Sequence, residues 1–488
     1  MSDLTTALNA QGLQHLTARD HLRAMAFFRA AITHDPAMAD AYTNLGVAQF
    51  MQHEFAEAVA TLRQSLALRP DHPETLLNFG YSLWRINAIE EAATAFRHAI
   101  KTGNLHLAHI ALGATYWELG EDELAIEHCK IGLETEPTNF FGLDTLREIY
   151  HYRGCEADAV AASEALIAVA PNYPRHQHKK SLIKLTYGNG QGWAERECRY
   201  DYLEGLTQTQ RDDPSWFTTL FGKRWEGQKT GHLLISAEQG FGDVIQFLRY
   251  IPLALERCDT LSLHLPPTLQ RITRQSFPQV KVYDNVHDPL PAEFDHYCLI
   301  MSLAYLLDRT DPPAPPYLVA STNGYGEVRR LPGLKVGLAW TGSKSHPDNR
   351  WRTVPFETLT PLFDLAVSFV SLQFPPEIDL KPYPITVVHP TPTAFGGNLM
   401  IDWTETAALI AALDLVITAD TAVAHMAGAM GKPVWLLNRY NTDWRWMLKR
   451  EDTPWYPSMR IFRQPRMGDW YSVIAMVRDA LKALVLNR

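Results

Sequence analysis

Alanine recurs at positions 24, 58, 92, 125 and 159 and glycine at 12, 46, 80 and 113, so one step of 33 or 34 residues governs the first third of the chain. Pro36, Pro70, Pro137 and Pro171 close four of these periods, and Gly103 and Asn104 stand near the place of the missing one. A repeat of this length fits a helical pair stacked on the next pair. Small residues let the two helices of a pair cross closely. Tyr42, Phe55, Leu62, Phe79, Trp84 and Phe96 are expected to fill the gap to the following pair, and proline stops the second helix. The product is an α-solenoid with a concave face for a peptide or partner protein, or a rigid platform for the rest of the chain. Only the fifth copy departs, with Arg147 in place of glycine, as suits an end repeat that meets a different neighbour.

At 488 residues the chain exceeds one hydrophobic core, and length alone suggests roughly three domains. A net charge of -9 gives no electrostatic reason to expect nucleic acid as a partner. No apolar run is long enough for a membrane span, and no secretory leader is visible at the start, so a cytoplasmic protein is the expectation. Cys129, Cys155, Cys198, Cys258 and Cys298 form no C-x-x-C pair, which argues against a disulfide framework and against a cysteine-based zinc site.

The chain divides into repeats over 1–171, an aromatic-rich connection over 172–230, one α/β half over 231–316, a hinge over 317–332 and a second α/β half over 333–488. In the connection, Trp193 to Leu203 reads as a helix, and its aromatics suit packing between domains better than stacking on a sugar. HLLIS from His232, Leu261 to Leu265, Val280 to Tyr283 and Tyr297 to Met301 read as short buried strands separated by helix-length segments. Pro312, Pro313, Pro315 and Pro316 interrupt the alternation, which resumes at Val336 and runs through Ser368 to Gln373 and Ile385 to Val388. Asp414 to Thr418, Thr421 to Ala429 and Pro433 to Leu437 then spell strand, helix, strand, and a helix follows at about Trp470 to Leu486. Two such halves joined by a hinge enclose a cleft, with ligands at the carboxyl ends of the strands.

Three groups of residues fall where that cleft would be. Gly240, Gly242 and Asp243 follow the first strand of the first half, the glycines permitting a tight turn and Asp243 standing at a helix start; an aspartate that merely caps the helix is the simpler alternative. Lys344, His346, Arg350 and Arg352 follow the first strand of the second half, and such a run of cations suits a diphosphate or, equally, a solvated loop. Asp420 and Thr421 open the small-residue helix, whose dipole favours phosphate, and His425 lies one turn further on the same side. Capping residues and a packed histidine are the plainer reading of that last group.

The 34-residue pattern resembles the tetratricopeptide repeat over five copies. EQGFGDVIQFLRYIPL, WTGS with RWRTVPFETL, and ADTAVAHMAGAMGKPVWLL together resemble the heptosyltransferase-like glycosyltransferases, which have two Rossmann-like domains in the GT-B arrangement. The fold this implies is an N-terminal tetratricopeptide α-solenoid followed by a GT-B-type pair of Rossmann-like α/β domains, an architecture also similar to that of the O-linked N-acetylglucosamine transferases. The resemblance implies a nucleotide-diphosphate sugar as donor and Asp243 as base on the acceptor hydroxyl. It places Arg352, with Lys344, Asp420, Thr421 and His425, around the diphosphate. It implies an inverting reaction without metal or other cofactor, and with the repeats it points to a protein acceptor. Ala422 departs from the family, where glycine is usual beside the phosphate. Two other roles fit the same residues: a scaffold that binds a partner or nucleotide without catalysis, and a cell-envelope glycan transferase whose repeats serve assembly.

Overall fold

The computed structural model describes residues 3–103, 105–201, 224–284, 293–321, 324–343, 349–374, 378–388, 393–395, 398–400, 402–440, 442–448 and 450–487. It forms two compact units, Met1–His176 and Gln177–Arg488. The first consists of helices α1 (Asp3–Thr17), α2 (His21–His34), α3 (Ala39–Met51), α4 (Phe55–Leu68), α5 (Pro73–Arg85), α6 (Ile89–Gly103), α7 (His106–Leu119), α8 (Asp122–Thr135), α9 (Phe140–Tyr152) and α10 (Glu156–Val169), paired in order.

The repeat works as a lock between a glycine and a large side chain. A β-carbon on Gly12 would meet the Phe28 ring at 2.4 Å, one on Gly46 would meet Leu62 at 2.5 Å, and one on Gly80 would meet Phe96 at 2.5 Å. In the fourth pair the same approach is made by Gly113 and Cys129 Sγ at 2.5 Å. Leu62 and Phe96 therefore close their own pairs, where the sequence suggested the gap to the next. The recurrent alanines, 24, 58, 92, 125 and 159, are all fully buried. In the fifth pair Arg147 takes the glycine position while the small Ser163 holds the place of Phe28, Leu62, Phe96 and Cys129. Arg147 is buried there, and its charge is met by Asp144 at 2.8 Å and Glu148 at 2.9 Å.

The second unit contains two parallel sheets. Helix α11 (Pro174–Thr186) spans the boundary, and α12 (Gln191–Glu195) continues as a 3-10 turn, Arg196–Asp201, in place of the single helix read from the sequence. The first sheet has the order β3-β2-β1-β4, with β1 (Thr230–Ser236), β2 (Cys258–Leu265), β3 (Lys281–Asp284) and β4 (His296–Leu299). Its helices include α13 (Phe241–Phe247) and α14 (Pro267–Ser276).

The second sheet has the order β12-β11-β10-β5-β6-β7. Its strands are β5 (Leu334–Ala339), β6 (Val367–Ser371), β7 (Ile385–Thr386), β10 (Leu415–Ala419), β11 (Val434–Asn438) and β12 (Met459–Arg463), and a hairpin of β8 (Thr393–Phe395) and β9 (Asn398–Met400) stands apart. Helices α15 (Trp403–Ala411), α16 (Ala422–Ala429) and α17 (Trp470–Leu486) follow β9, β10 and β12. All residues of β10 and most of those of β1 and β5 are buried, so these strands are covered on both faces, as parallel sheets require.

Among the described residues no helix is long and apolar enough to cross a membrane. Substituting Gly80 with alanine should destabilise the repeat unit by about 1–3 kcal/mol, because the added methyl collides with the buried Phe96 ring and this outweighs the gain in helix propensity of about 1 kcal/mol. Urea unfolding followed by circular dichroism checks it; a stabilised Gly80→Ala protein would contradict the lock.

Candidate active site

Chain order places the site. In the second sheet the chain adds β6 and β7 on one side of β5 and then crosses to add β10 on the other, so β5 and β10 are neighbours whose following loops diverge. A parallel sheet leaves a crevice at such a point. The loop after β5 leads to Arg352 and the loop after β10 carries Asp420 and Thr421. The structure brings them together: Arg352 Nη1 donates to the Asp420 carbonyl at 3.3 Å and Nε to Asn349 Oδ1 at 3.2 Å. Gly342 makes room for this guanidinium, since a β-carbon there would lie 2.5 Å from Nη2. Lys344 and His346 lie outside the described residues.

Thr421 is the N-cap of α16, its Oγ1 accepting the Val423 N–H at 3.3 Å. Asp420 is half-buried, and burial together with the nearby Asp443 carboxylate raises its carboxyl above the ordinary range. His425 lies on the buried side of α16, its Nδ1 2.9 Å from Tyr456 Oη and its ring 5.2 Å from that of Trp446. Burial, reinforced by the charge of Arg445, holds the imidazole well below its ordinary pKa. At neutral pH it is uncharged.

The first sheet has its own crossing point between β1 and β4, and there the turn 237–240 leads into α13. Neither Gly240 nor Gly242 takes a left-handed conformation; the residue with positive φ is Gln239, at 60°. Gly242 is a residue of α13 and serves close approach, not a turn. A β-carbon on it would lie 2.8 Å from His425 Cδ2 and 3.6 Å from the Ala422 Cα. The two crossing points therefore meet, α13 against α16.

Asp243 stands at this meeting. Its Oδ2 accepts the Gly240 N–H at 2.9 Å, which caps α13, and its Oδ1 is paired with Arg445 from the opposite half. The capping role and a place in the crevice are thus held by one side chain.

Glu238, Arg199 and Arg445 of the crevice escaped the sequence reading. Glu238, just past β1, is buried and bound through both oxygens to Arg199 at 2.8 Å each, and it accepts the Met301 N–H at 3.0 Å. This anchors the turn that carries Asp243 to the 3-10 turn of the connecting segment. Trp193, from the same segment, is buried edge-on against Trp444 at 5.5 Å and Trp455 at 6.1 Å. Its packing role is therefore within the α/β unit; Tyr202, Trp216, Phe217 and Phe221 lie outside the described residues. Arg445 follows β11 in the stretch Asp443 to Trp446, where aromatic and charged residues alternate directly after a strand. That alternation was the available signal.

The tetratricopeptide repeat family matches residues 15–74, and glycosyltransferase family 9 (heptosyltransferase) matches residues 399–467, a span that contains Asp420, Thr421, His425 and Arg445. The chain carries tetratricopeptide repeats followed by a glycosyltransferase domain. It is similar to protein FlbA of Caulobacter vibrioides, with 25% identity over 97% of this chain and 89% of FlbA. Among solved structures, a tetratricopeptide repeat protein from Parabacteroides merdae shares 17% identity over 41% of this chain and 80% of its own, with a TM-score of 0.36. PilF of Pseudomonas aeruginosa shares 17% over 43% of this chain and 98% of its own, with a TM-score of 0.38.

Because His425 is held neutral, folding stability should fall as pH drops below about 6.5, where the unfolded imidazole takes up a proton that the folded one refuses. Urea titrations between about pH 7 and 5 should show a shallower slope for His425→Gln than for the parent. Identical slopes would mean that His425 is charged in the fold.

Proposed function

We propose that the protein transfers a sugar from a nucleotide-diphosphate donor to an acceptor hydroxyl with inversion at the anomeric carbon, and that the acceptor is a protein chosen by the repeats. The observation that carries the reading is the convergence of Arg352 on the start of α16, the helix against which Gly242, the neighbour of Asp243, is packed. In this reaction Asp243 takes the proton of the acceptor hydroxyl while that oxygen attacks the anomeric carbon. The bond from that carbon to the diphosphate breaks on the far face, and the electron pair leaves with the diphosphate. Negative charge then grows where Arg352 and the N-terminus of α16 lie. Lys344 is a further donor-side cation in this proposal. The reading needs no metal, since guanidinium and helix dipole meet the leaving charge.

Arg352→Ala should weaken binding of the matching nucleoside diphosphate about tenfold to a hundredfold, the worth of one charged hydrogen bond of about 1.5–3 kcal/mol. Calorimetry in chelator-treated buffer measures this and asks at the same time whether binding survives without divalent ions. Undiminished affinity in the Arg352→Ala protein would remove the diphosphate from this loop. Asp243→Asn should instead lower turnover about a hundredfold or more with nucleotide affinity nearly unchanged.

For the acceptor, the support is the solenoid of five helical pairs, a form that recognises extended segments along its concave face. Full-length protein and a form beginning at Gln177 are compared for transfer to the natural acceptor, with donor hydrolysis reporting that the shorter form is folded and active. Selective loss of transfer in the shorter form is expected. Equal transfer by both would show that the repeats serve assembly only.

A further inference from the structure

Arg445 is the cation that ties the turn after β11 to α13 in the opposite half. Its guanidinium is buried, and all three nitrogens are engaged: Nε donates to Gln246 Oε1 at 2.6 Å, Nη1 to Asp443 Oδ1 at 2.8 Å, and Nη2 to Asp243 Oδ1. Gln246 and Asp243 both belong to α13, one turn apart, so the planar fork spans one face of a helix in the opposite half. Asp443 belongs to Arg445's own turn. It also accepts the Arg445 backbone N–H at 3.0 Å, so one carboxylate fixes both ends of the residue. The guanidinium lies 4.4 Å from the centre of the Trp444 ring, which covers one of its faces.

A carboxylate offers about four lone-pair positions on two oxygens. Asp243 has one oxygen tethered to Gly240 N–H and the other to Arg445, which fixes the plane of the group while leaving lone pairs on each oxygen. Neither tether alone would do so, since a single contact leaves the side chain free to turn about its last bond.

We propose that Arg445 is a positioning residue for glycosyl transfer, holding the Asp243 carboxylate across the crevice in the orientation that receives the acceptor proton. This rests on the reading of Asp243 as base. Arg445 gains and loses no proton in the step. The hydroxyl proton passes to Asp243, the acceptor oxygen bonds to the anomeric carbon, and the diphosphate departs with the electron pair of the broken bond. What Arg445 supplies is geometry, so its removal acts on turnover and leaves ground-state binding of the donor in place.

The test uses the full-length protein and, as donor, the nucleotide sugar whose nucleoside diphosphate most raises the melting temperature in a panel of UDP, GDP, ADP and dTDP. Its hydrolysis, with water in place of the acceptor, is followed for the parent, Arg445→Ala, Arg445→Lys and Asp243→Asn. Arg445→Ala should lose about tenfold to a hundredfold in kcat, as expected for one charged hydrogen bond, with KM and nucleoside diphosphate affinity within about twofold of the parent. Added guanidinium at millimolar concentration should restore part of the rate in Arg445→Ala and none in Asp243→Asn, an effect that general loosening of the fold would not give. If Arg445→Ala does not fold, Arg445→Lys decides. Lysine keeps the charge but cannot span Gln246, Asp443 and Asp243 together, so kcat should still fall at constant KM. Parental kcat in a folded Arg445→Ala or in Arg445→Lys would overturn the proposal while a dead Asp243→Asn upheld the base. Parental turnover in Asp243→Asn would remove the base, and the proposal with it.

Discussion

The crevice of the α/β unit is set by one missing side chain. Gly242 brings α13 so near α16 that a β-carbon would fall 2.8 Å from the His425 ring. Packed interiors do not absorb such an intrusion without displacement of a helix or a ring. Since His425 is also held from behind by Tyr456 and Trp446, the easier motion is separation of the halves. The charged groups of the crevice depend on this approach. Arg445 reaches Asp243 and Gln246 only because α13 is close, and on the same seam Arg271 of α14 reaches Asp402, at 3.4 Å, and Glu405 of α15. A buried guanidinium deprived of its acids would be strongly unfavourable, so closeness and charge pairing support each other.

The hinge is fastened to the same place. The Tyr317 N–H donates to the Ala429 carbonyl at the end of α16 at 3.0 Å, and its hydroxyl donates to the Ile245 carbonyl in α13 at 3.0 Å. Arg249 binds the Trp455 carbonyl at 2.8 Å and the Tyr317 hydroxyl at 3.2 Å. The strap that joins the two halves thus touches both helices that meet in the crevice. Separation of the two halves would disturb these contacts together, which makes the hinge, α13 and α16 parts of one mechanical element.

Legibility in the sequence followed the physics of each part. The repeats were plain because glycine and alanine recur where helices cross, and the first four copies report the same contact. Parallel strands were plain because both faces are buried and the apolar runs are short. Strand β12 and the Asp443 to Trp446 turn were not read, since their charged and aromatic residues carry no period and acquire meaning only beside α13. The same holds for Glu238 and Arg199, which are 39 positions apart and find each other only through the packing of the connecting segment on β1. Asp243 was legible as a helix-start aspartate in a cleft, but its pairing with Arg445, 202 positions away, had no local sign.

An account built on a base in one half and a leaving diphosphate in the other makes a stereochemical commitment. In the proposed reaction, attack from the Asp243 side with departure toward Arg352 and α16 would place nucleophile and leaving group on opposite faces of the sugar. Proton NMR of the first sugar product formed from an accepted nucleotide sugar reads this directly through the coupling of the anomeric proton. The account predicts the anomeric configuration opposite to that of the donor, before any mutarotation. A first product that keeps the donor's configuration would contradict it.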